Sequence, residues 1–195
     1  MISAPVTTTL EEHAFIEDYV KGDRIPWYWR GGMVGGPLDR NTPWLVKEYV
    51  RLLGHMPVNA PYFEHTLMHR TNDPTSEGTI NSPTYGLFHK LFVRWCEENS
   101  VNCELVYRAS INLVEHHEGM CSTPHTDHDF EHWNWLMYLN TVDSAETVLF
   151  DEDFNITHEQ PAQEYTAFTF NGCIHAHRLP APGTRRLAVV FTYKR

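Results

Sequence analysis

From Glu104 onward the chain is a succession of short runs rich in β-branched and aromatic residues, each closed by Gly, Pro, Asn or Asp. The first is Glu104–Val114, followed by Trp133–Asn140, Glu146–Phe150, Glu164–Phe170 and Arg186–Tyr193. Such residues fit a pleated, half-buried surface, and the turn formers between them leave almost no room for helices. This pattern predicts an antiparallel β-sandwich or barrel.

The preceding hundred residues carry a different texture. Thr8-Thr9-Leu10-Glu11-Glu12 offers a capping box, with Ala14, Phe15 and Tyr19 following at helical spacing. An aromatic patch at Ile25–Trp29 leads into the glycine-rich stretch Gly31–Pro37. Thr42 and Pro43 open a second predicted helix, which carries Leu45, Val46, Tyr49, Val50 and Leu53 on one face and stops at Gly54. Pro61–His69 alternates as a strand, and Arg70–Pro83 is a polar loop. Leu87, Phe88, Leu91, Phe92 and Trp95 form the stripe of a third helix, and these aromatics are expected to pack in the core. With no repeat and no linker, the 195 residues are expected to form one domain. Residues 1–103 would be a helical N-terminal layer with supporting strands, and 104–195 the β core.

Charge and cysteine usage narrow the function classes. Fifteen Lys and Arg against 25 Asp and Glu give a formal charge of -10, which argues against a broad nucleic-acid footprint. The four cysteines (Cys96, Cys103, Cys121, Cys173) form no C-x-x-C pair, as in a protein with reduced thiols. Met1–Pro5 has no basic or apolar leader character, and no apolar run approaches membrane-spanning length. The expected localisation is cytoplasmic.

Within the β half lies Pro124-His125-Thr126-Asp127-His128. On an extended backbone, side chains two apart share a side. His125 and Asp127 would therefore aim an imidazole and a carboxylate at one point, as two members of a two-His-one-carboxylate triad that leaves iron positions open. A third ligand would come from Gly172–His177, which holds both His175 and His177. His116, His117, His128 and His132 crowd the same region and are expected at the solvent surface or the pocket rim.

The order of elements is H-x-D, a tyrosine strand through Tyr138, the distal His175-Ala176, and Arg185-Arg186 ten and eleven residues later. It resembles the Fe(II)/2-oxoglutarate-dependent dioxygenase superfamily, in particular its prolyl-hydroxylase-like branch and small phage and bacterial members. The resemblance is strongest over 104–195. It implies a mainly β chain with N-terminal helices, built on a double-stranded β-helix of the jelly-roll or cupin type. It implies metal ligands His125, Asp127 and His175, the last preferred over His177 because a small residue follows it. It places the distal 2-oxoglutarate carboxylate on Arg186, with Arg185 as the alternative, and on Tyr138, and makes Asn112, on the strand before the metal motif, a contact of the keto acid. Fe(II), 2-oxoglutarate and O2 are the implied cofactors, with ascorbate as a conceivable addition. The reaction would hydroxylate a C–H bond of a peptidyl residue or small metabolite and release succinate and CO2. Asp127 stands where halogenating relatives have Gly or Ala, which favours hydroxylation. Ser144-Ala145-Glu146 replaces the family's usual glycine-rich turn before Thr147.

Two readings compete. A zinc hydrolase could use the same His and Asp ligands with a metal-bound water. A non-catalytic β-sandwich binding module would give the His and Asp residues no chemical role. No nucleophile elbow, P-loop or dinucleotide fingerprint is present. The expected partner is a small-molecule or peptidyl substrate, without membrane or nucleic acid.

Overall fold

The computed structural model describes residues 1–22, 24–32, 60–118 and 121–195. The expected helix from Thr42 to Gly54 lies outside them. Strand β1 (Ile2–Pro5) precedes α1 (Leu10–Phe15), which continues as a wider π-type turn over Ile16–Lys21. Strands β2 (Tyr28–Arg30), β3 (Tyr62–His69) and β4 (Thr79–Ile80) come before helix α2 (Tyr85–Glu98). The remainder is β5 (Leu105–Glu115), β6 (Trp133–Tyr138), β7 (Val142–Phe150), β8 (Ile156–Ala162), β9 (Thr166–Asn171), β10 (His175–His177) and β11 (Arg185–Lys194).

These strands form two antiparallel sheets. The larger has the order β1-β9-β6-β11-β5-β3-β2, with β4 added on β3; the smaller is β10-β7-β8. Isolated bridges from Cys121 to Arg178 and from His125 to His175 extend the small sheet beyond β10. The N-terminal segment therefore contributes four strands to the large sheet as well as helices.

The period-two alternation of the central strands gives the large sheet two different faces. Ile111 and Leu113 of β5, Trp135 and Met137 of β6, and Val189 and Phe191 of β11 pack with Phe88, Leu91, Phe92 and Trp95 of α2. The Phe92 and Phe191 rings stack with centroids 4.9 Å apart. The helix stripe read from the sequence is thus what covers this face. On the opposite face, Leu136, Tyr138, Phe168, Phe170 and Ala188 meet Val142, Ala145 and Leu149 of the small sheet. Polar residues on that inner face have no solvent to turn to. Arg108, Ser110 and Asn112 of β5, Asn134 of β6 and Arg186 of β11 lie there.

Two local features hold the ends of this frame. Thr9 caps α1, its Oγ1 accepting from the Glu12 amide at 3.2 Å while Glu12 Oε2 accepts from the Thr9 amide at 2.9 Å. Ser144, in the loop-like start of β7, takes a positive φ of 60°. The pairing of β7 with β8 shifts register between Val142 and Thr147. That bulge does, without glycine, the bending expected of a glycine-rich turn.

Candidate metal centre

His125, Asp127 and His175 come together, with one ligand atom from each lying within 4.8 Å of the others. The H-x-D segment is not a regular strand. His125 pairs with His175 of β10 through amide–carbonyl bonds of 2.9 Å in both directions, and Asp127 follows in a bend. His175 Nε2 stands 3.5 Å from Asp127 Oδ2.

Both imidazoles are oriented the same way. His125 Nδ1 lies 3.0 Å from the Thr123 carbonyl and His175 Nδ1 lies 3.0 Å from the Cys173 carbonyl. A carbonyl only accepts, so each Nδ1 carries the proton and each Nε2 presents its lone pair to the shared point. This is the arrangement in which backbone carbonyls fix the tautomer of metal-binding histidines. Burial, with the neighbouring His125, pushes His175 down to about 4, so the ring is neutral at pH 7. Burial opposes the Asp127 carboxylate, but His175, Arg108, His125 and Arg70 outweigh it and hold the group well below the usual carboxylate range.

The aspartate is clamped by two donors absent from the sequence reading. Arg108 Nη1 donates to Oδ1 at 2.9 Å, and Asn134 Nδ2 donates to Oδ2 at 3.0 Å. Arg108 had a sequence signal, since Arg108, Ser110 and Asn112 alternate with apolar Ala109, Ile111 and Leu113 along one strand. Asn134 likewise alternates with Leu136 and Tyr138. Arg70, 3.6 Å from Asp127 Oδ1, had none.

A cavity of about 300 Å³ opens from this centre and reaches Arg186, Thr147, His177 and Asn112. Arg186 is only 3% exposed; its Nη2 donates to Thr147 Oγ1 at 2.9 Å and its Nε to the Ala145 carbonyl at 3.2 Å. Among the described residues no carboxylate pairs with it, and burial lowers its pKa. Tyr138 does not line the cavity. Its hydroxyl is held by Thr147 Oγ1 at 2.8 Å and donates to the Gln160 carbonyl at 3.2 Å, while the Arg186 guanidinium sits 5.2 Å over its ring. Arg185 points away from the cavity, donating through Nη2 to the Lys21 carbonyl at 3.1 Å. Asn112 lines the cavity and its Oδ1 accepts from Ser110 Oγ at 3.1 Å. His177 shares the cavity side of β10 with His175; its Nδ1 meets Ser122 Oγ at 3.2 Å, and its buried Nε2 has no partner among the described residues. Burial beside Arg186 keeps this ring neutral.

The other histidines require a correction. His128 and His132 are buried, 7% and 3% exposed, rather than at the surface or rim. They pack edge-on to each other, and His128 with Tyr107 and Phe130. His128 Nε2 bonds Thr192 Oγ1 at 2.7 Å, and burial lowers its pKa to about 4. His132 lies directly over Gly172, where an added Cβ would come 2.3 Å from the ring. The glycine is what lets the turn before His175 pass so closely. His116 and His117 bond the carbonyls of Pro180 and Pro61 near the surface.

No family model matches the sequence, and no curated protein matches it. Solved structures do match. An oxidoreductase of the 2OG-Fe(II) oxygenase family from Burkholderia pseudomallei is 13% identical over 96% of this chain and 91% of its own, with a TM-score of 0.56. The fold is that of the 2OG-Fe(II) oxygenases. AviO1 from Streptomyces viridochromogenes Tue57 aligns over 99% of this chain and 88% of its own at 12% identity and a TM-score of 0.52. The viral collagen prolyl hydroxylase vCPH from Paramecium Bursaria Chlorella virus-1 aligns over 100% and 90% at 10% identity and a TM-score of 0.50. At these identities the 2OG-Fe(II) oxygenase likeness establishes architecture, and chemistry has to be argued from the site. No helix among the described residues is long and apolar enough to cross a membrane.

Proposed function

We propose that this protein is an Fe(II)- and 2-oxoglutarate-dependent oxygenase that hydroxylates a C–H bond of a small metabolite or peptidyl residue. The observation that carries the reading is the pairing, in one cavity, of a His-Asp-His ligand set with a buried arginine that has no carboxylate partner among the described residues. A guanidinium left unpaired in a low-dielectric interior is costly unless a ligand supplies the anion. A keto acid with two carboxylates fits both ends of such a cavity.

In this reading His125, Asp127 and His175 would hold Fe(II) at the head of the cavity. Arg108 and Asn134 keep the Asp127 carboxylate from rotating. Arg186 receives the far carboxylate of 2-oxoglutarate through charge-assisted hydrogen bonds, and Thr147, braced by the Tyr138 hydroxyl, fixes the plane of its fork. His177 Nε2 is an unengaged polar atom beside the same carboxylate site, and Asn112 is a further contact for the keto acid. Leu136, Val190, Phe170 and Val114 give the cavity apolar walls that exclude water. When bound, the iron and 2-oxoglutarate supply the oxidising chemistry: O2, 2-oxoglutarate and substrate R–H give R–OH, succinate and CO2, one oxygen atom entering each oxidised product.

A zinc hydrolase would use the same ligands but would leave Arg186 buried without an anion. The test is thermal unfolding with Mn(II), with and without 2-oxoglutarate. Mass action predicts that Mn(II) raises the Tm and that 2-oxoglutarate raises it further only when the metal is present. A metal response with none to 2-oxoglutarate would favour the hydrolase.

A further inference from the structure

The cavity has two ends, and the proposed keto-acid site uses one. At the outer end Arg70 and Arg108 converge on Asp127. Arg108 is fully engaged, donating to Asp127 Oδ1 at 2.9 Å, Ser110 Oγ at 3.3 Å and Glu64 Oε1 at 3.4 Å. Glu64 is engaged as well, because its other oxygen accepts from Arg30 Nε at 2.6 Å. Arg70 stands apart. It forms an ion pair with Asp127 Oδ1 at 3.6 Å, beyond hydrogen-bond reach, with Glu64 further off, and among the described residues it makes no hydrogen bond. Its side chain is 42% exposed, so it sits at the mouth with its donors turned toward the cavity it lines.

The charges along this cavity run against those of the whole chain. Arg70, Arg108 and Arg186 line it with Asp127 as the one carboxylate among the described residues, in a protein of formal charge -10. Asp127 is committed to the metal and Arg186 to the keto acid, and Fe(II) adds positive charge. What remains at the mouth is a half-exposed cation whose nearest carboxylate, 3.6 Å away, already accepts from Arg108 and Asn134.

We propose that the outer half of the cavity binds a substrate bearing an oxyanion, a carboxylate or a phosphate, and that Arg70 is the residue that receives it. The inference rests on the oxygenase reading. Arg108 acts as a positioning residue: by taking the hydrogen bonds of Asp127 Oδ1 and Glu64 it leaves the Arg70 donors without one, and its own charge repels Arg70. Because about 300 Å³ is shared with the keto acid, the substrate is a small acid or the tip of an acidic side chain. An anion held there by a planar guanidinium would present its neighbouring C–H bonds to the metal centre.

Single-anion probes test this on the Mn(II)-loaded protein saturated with 2-oxoglutarate. The N-acetyl amides of aspartate, glutamate and O-phosphoserine are compared with those of asparagine, glutamine and serine by thermal shift. The acidic probes should raise the Tm and their neutral counterparts should not. R70Q should weaken the apparent affinity by about tenfold or more, and R70K should recover part of it. A response only to the phosphorylated probe assigns phosphate; a response to the aspartate or glutamate probe assigns carboxylate. Equal shifts from acid and amide, no shift from any acid, or an R70Q affinity equal to wild type would overturn the proposal. Failure of the underlying oxygenase reading looks different: Mn(II) with 2-oxoglutarate would not shift the wild-type Tm before any probe is added, and this proposal would fall with it.

Discussion

Arg108 Nη1 donates to Asp127 Oδ1 at 2.9 Å, while the other carboxylate oxygen accepts from Asn134 Nδ2 at 3.0 Å and stands 3.5 Å from His175 Nε2 at the candidate metal site. An arginine on β5 thereby sets the orientation of an aspartate that no strand holds. Metal titration should find R108K weaker by about tenfold and R108M by up to about 100-fold, since lysine keeps the charge but not the fork. Unchanged metal affinity in both variants would remove Arg108 from this role.

The two β10 histidines should separate by function. H175A is expected to lose metal affinity by more than about 100-fold, because it deletes one of the three proposed ligands. H177A should bind Mn(II) within a few-fold of wild type but need more 2-oxoglutarate to reach the same thermal shift. The opposite pattern would exchange their assignments.

Arg186 offers a contrast between stability and ligand binding. Replacing a buried cation that no carboxylate neutralises among the described residues with an apolar group of similar length removes its desolvation cost, which offsets the lost hydrogen bonds to Thr147 and Ala145. R186M is therefore expected to unfold at or above the wild-type Tm without ligands, and to lose the additional shift from 2-oxoglutarate while keeping the shift from metal. A large drop in the ligand-free Tm would mean that Arg186 serves the fold.

Glu12 links the α1 cap to α2. Arg94 reaches both of its oxygens, at 2.8 and 2.9 Å, and Lys90 approaches to 3.1 Å. The Arg94 hydrogen bonds, against some burial and with help from the Thr9 amide and Lys90, lower its pKa from 4.5 to about 2. In that window the unfolded chain binds more protons than the folded one, so stability rises with pH. The contribution is complete above the unfolded pKa and disappears as pH falls toward the folded one. Allowing for solvent screening, E12Q should cost roughly 1–2 kcal/mol at pH 7 in urea unfolding, and less near pH 3. A cost that does not shrink on acidification would contradict an ionic contribution.

The β body was legible because its strands are apolar on at least one face and end at turn formers. Strands β1 and β8 were missed for the complementary reason. Ile2–Pro5 is only four residues long, and Ile156–Ala162 is a largely exposed edge strand with Thr, Glu, Gln and Pro. The ordered set His125, Asp127, His175 and Arg186 could be read because its spacing follows strand order. Its supports could not all be read that way. Arg108 and Asn134 reach Asp127 across the sheet, a relation set by strand pairing rather than by distance along the chain. Tyr138 was expected against a carboxylate; its hydroxyl bonds Thr147, which also accepts from Arg186, a relation that spacing along the chain does not show. His128 and His132 read as surface residues, since nothing in sequence marks an imidazole as part of an aromatic cluster.

The measurement that bears most directly on the oxygenase account is succinate formation from 2-oxoglutarate by the Fe(II)-loaded protein under O2, compared with the same sample under nitrogen and with D127A. The account predicts succinate that requires oxygen, iron and Asp127 together. Succinate at the D127A level in the wild type, or turnover indifferent to oxygen, would contradict it.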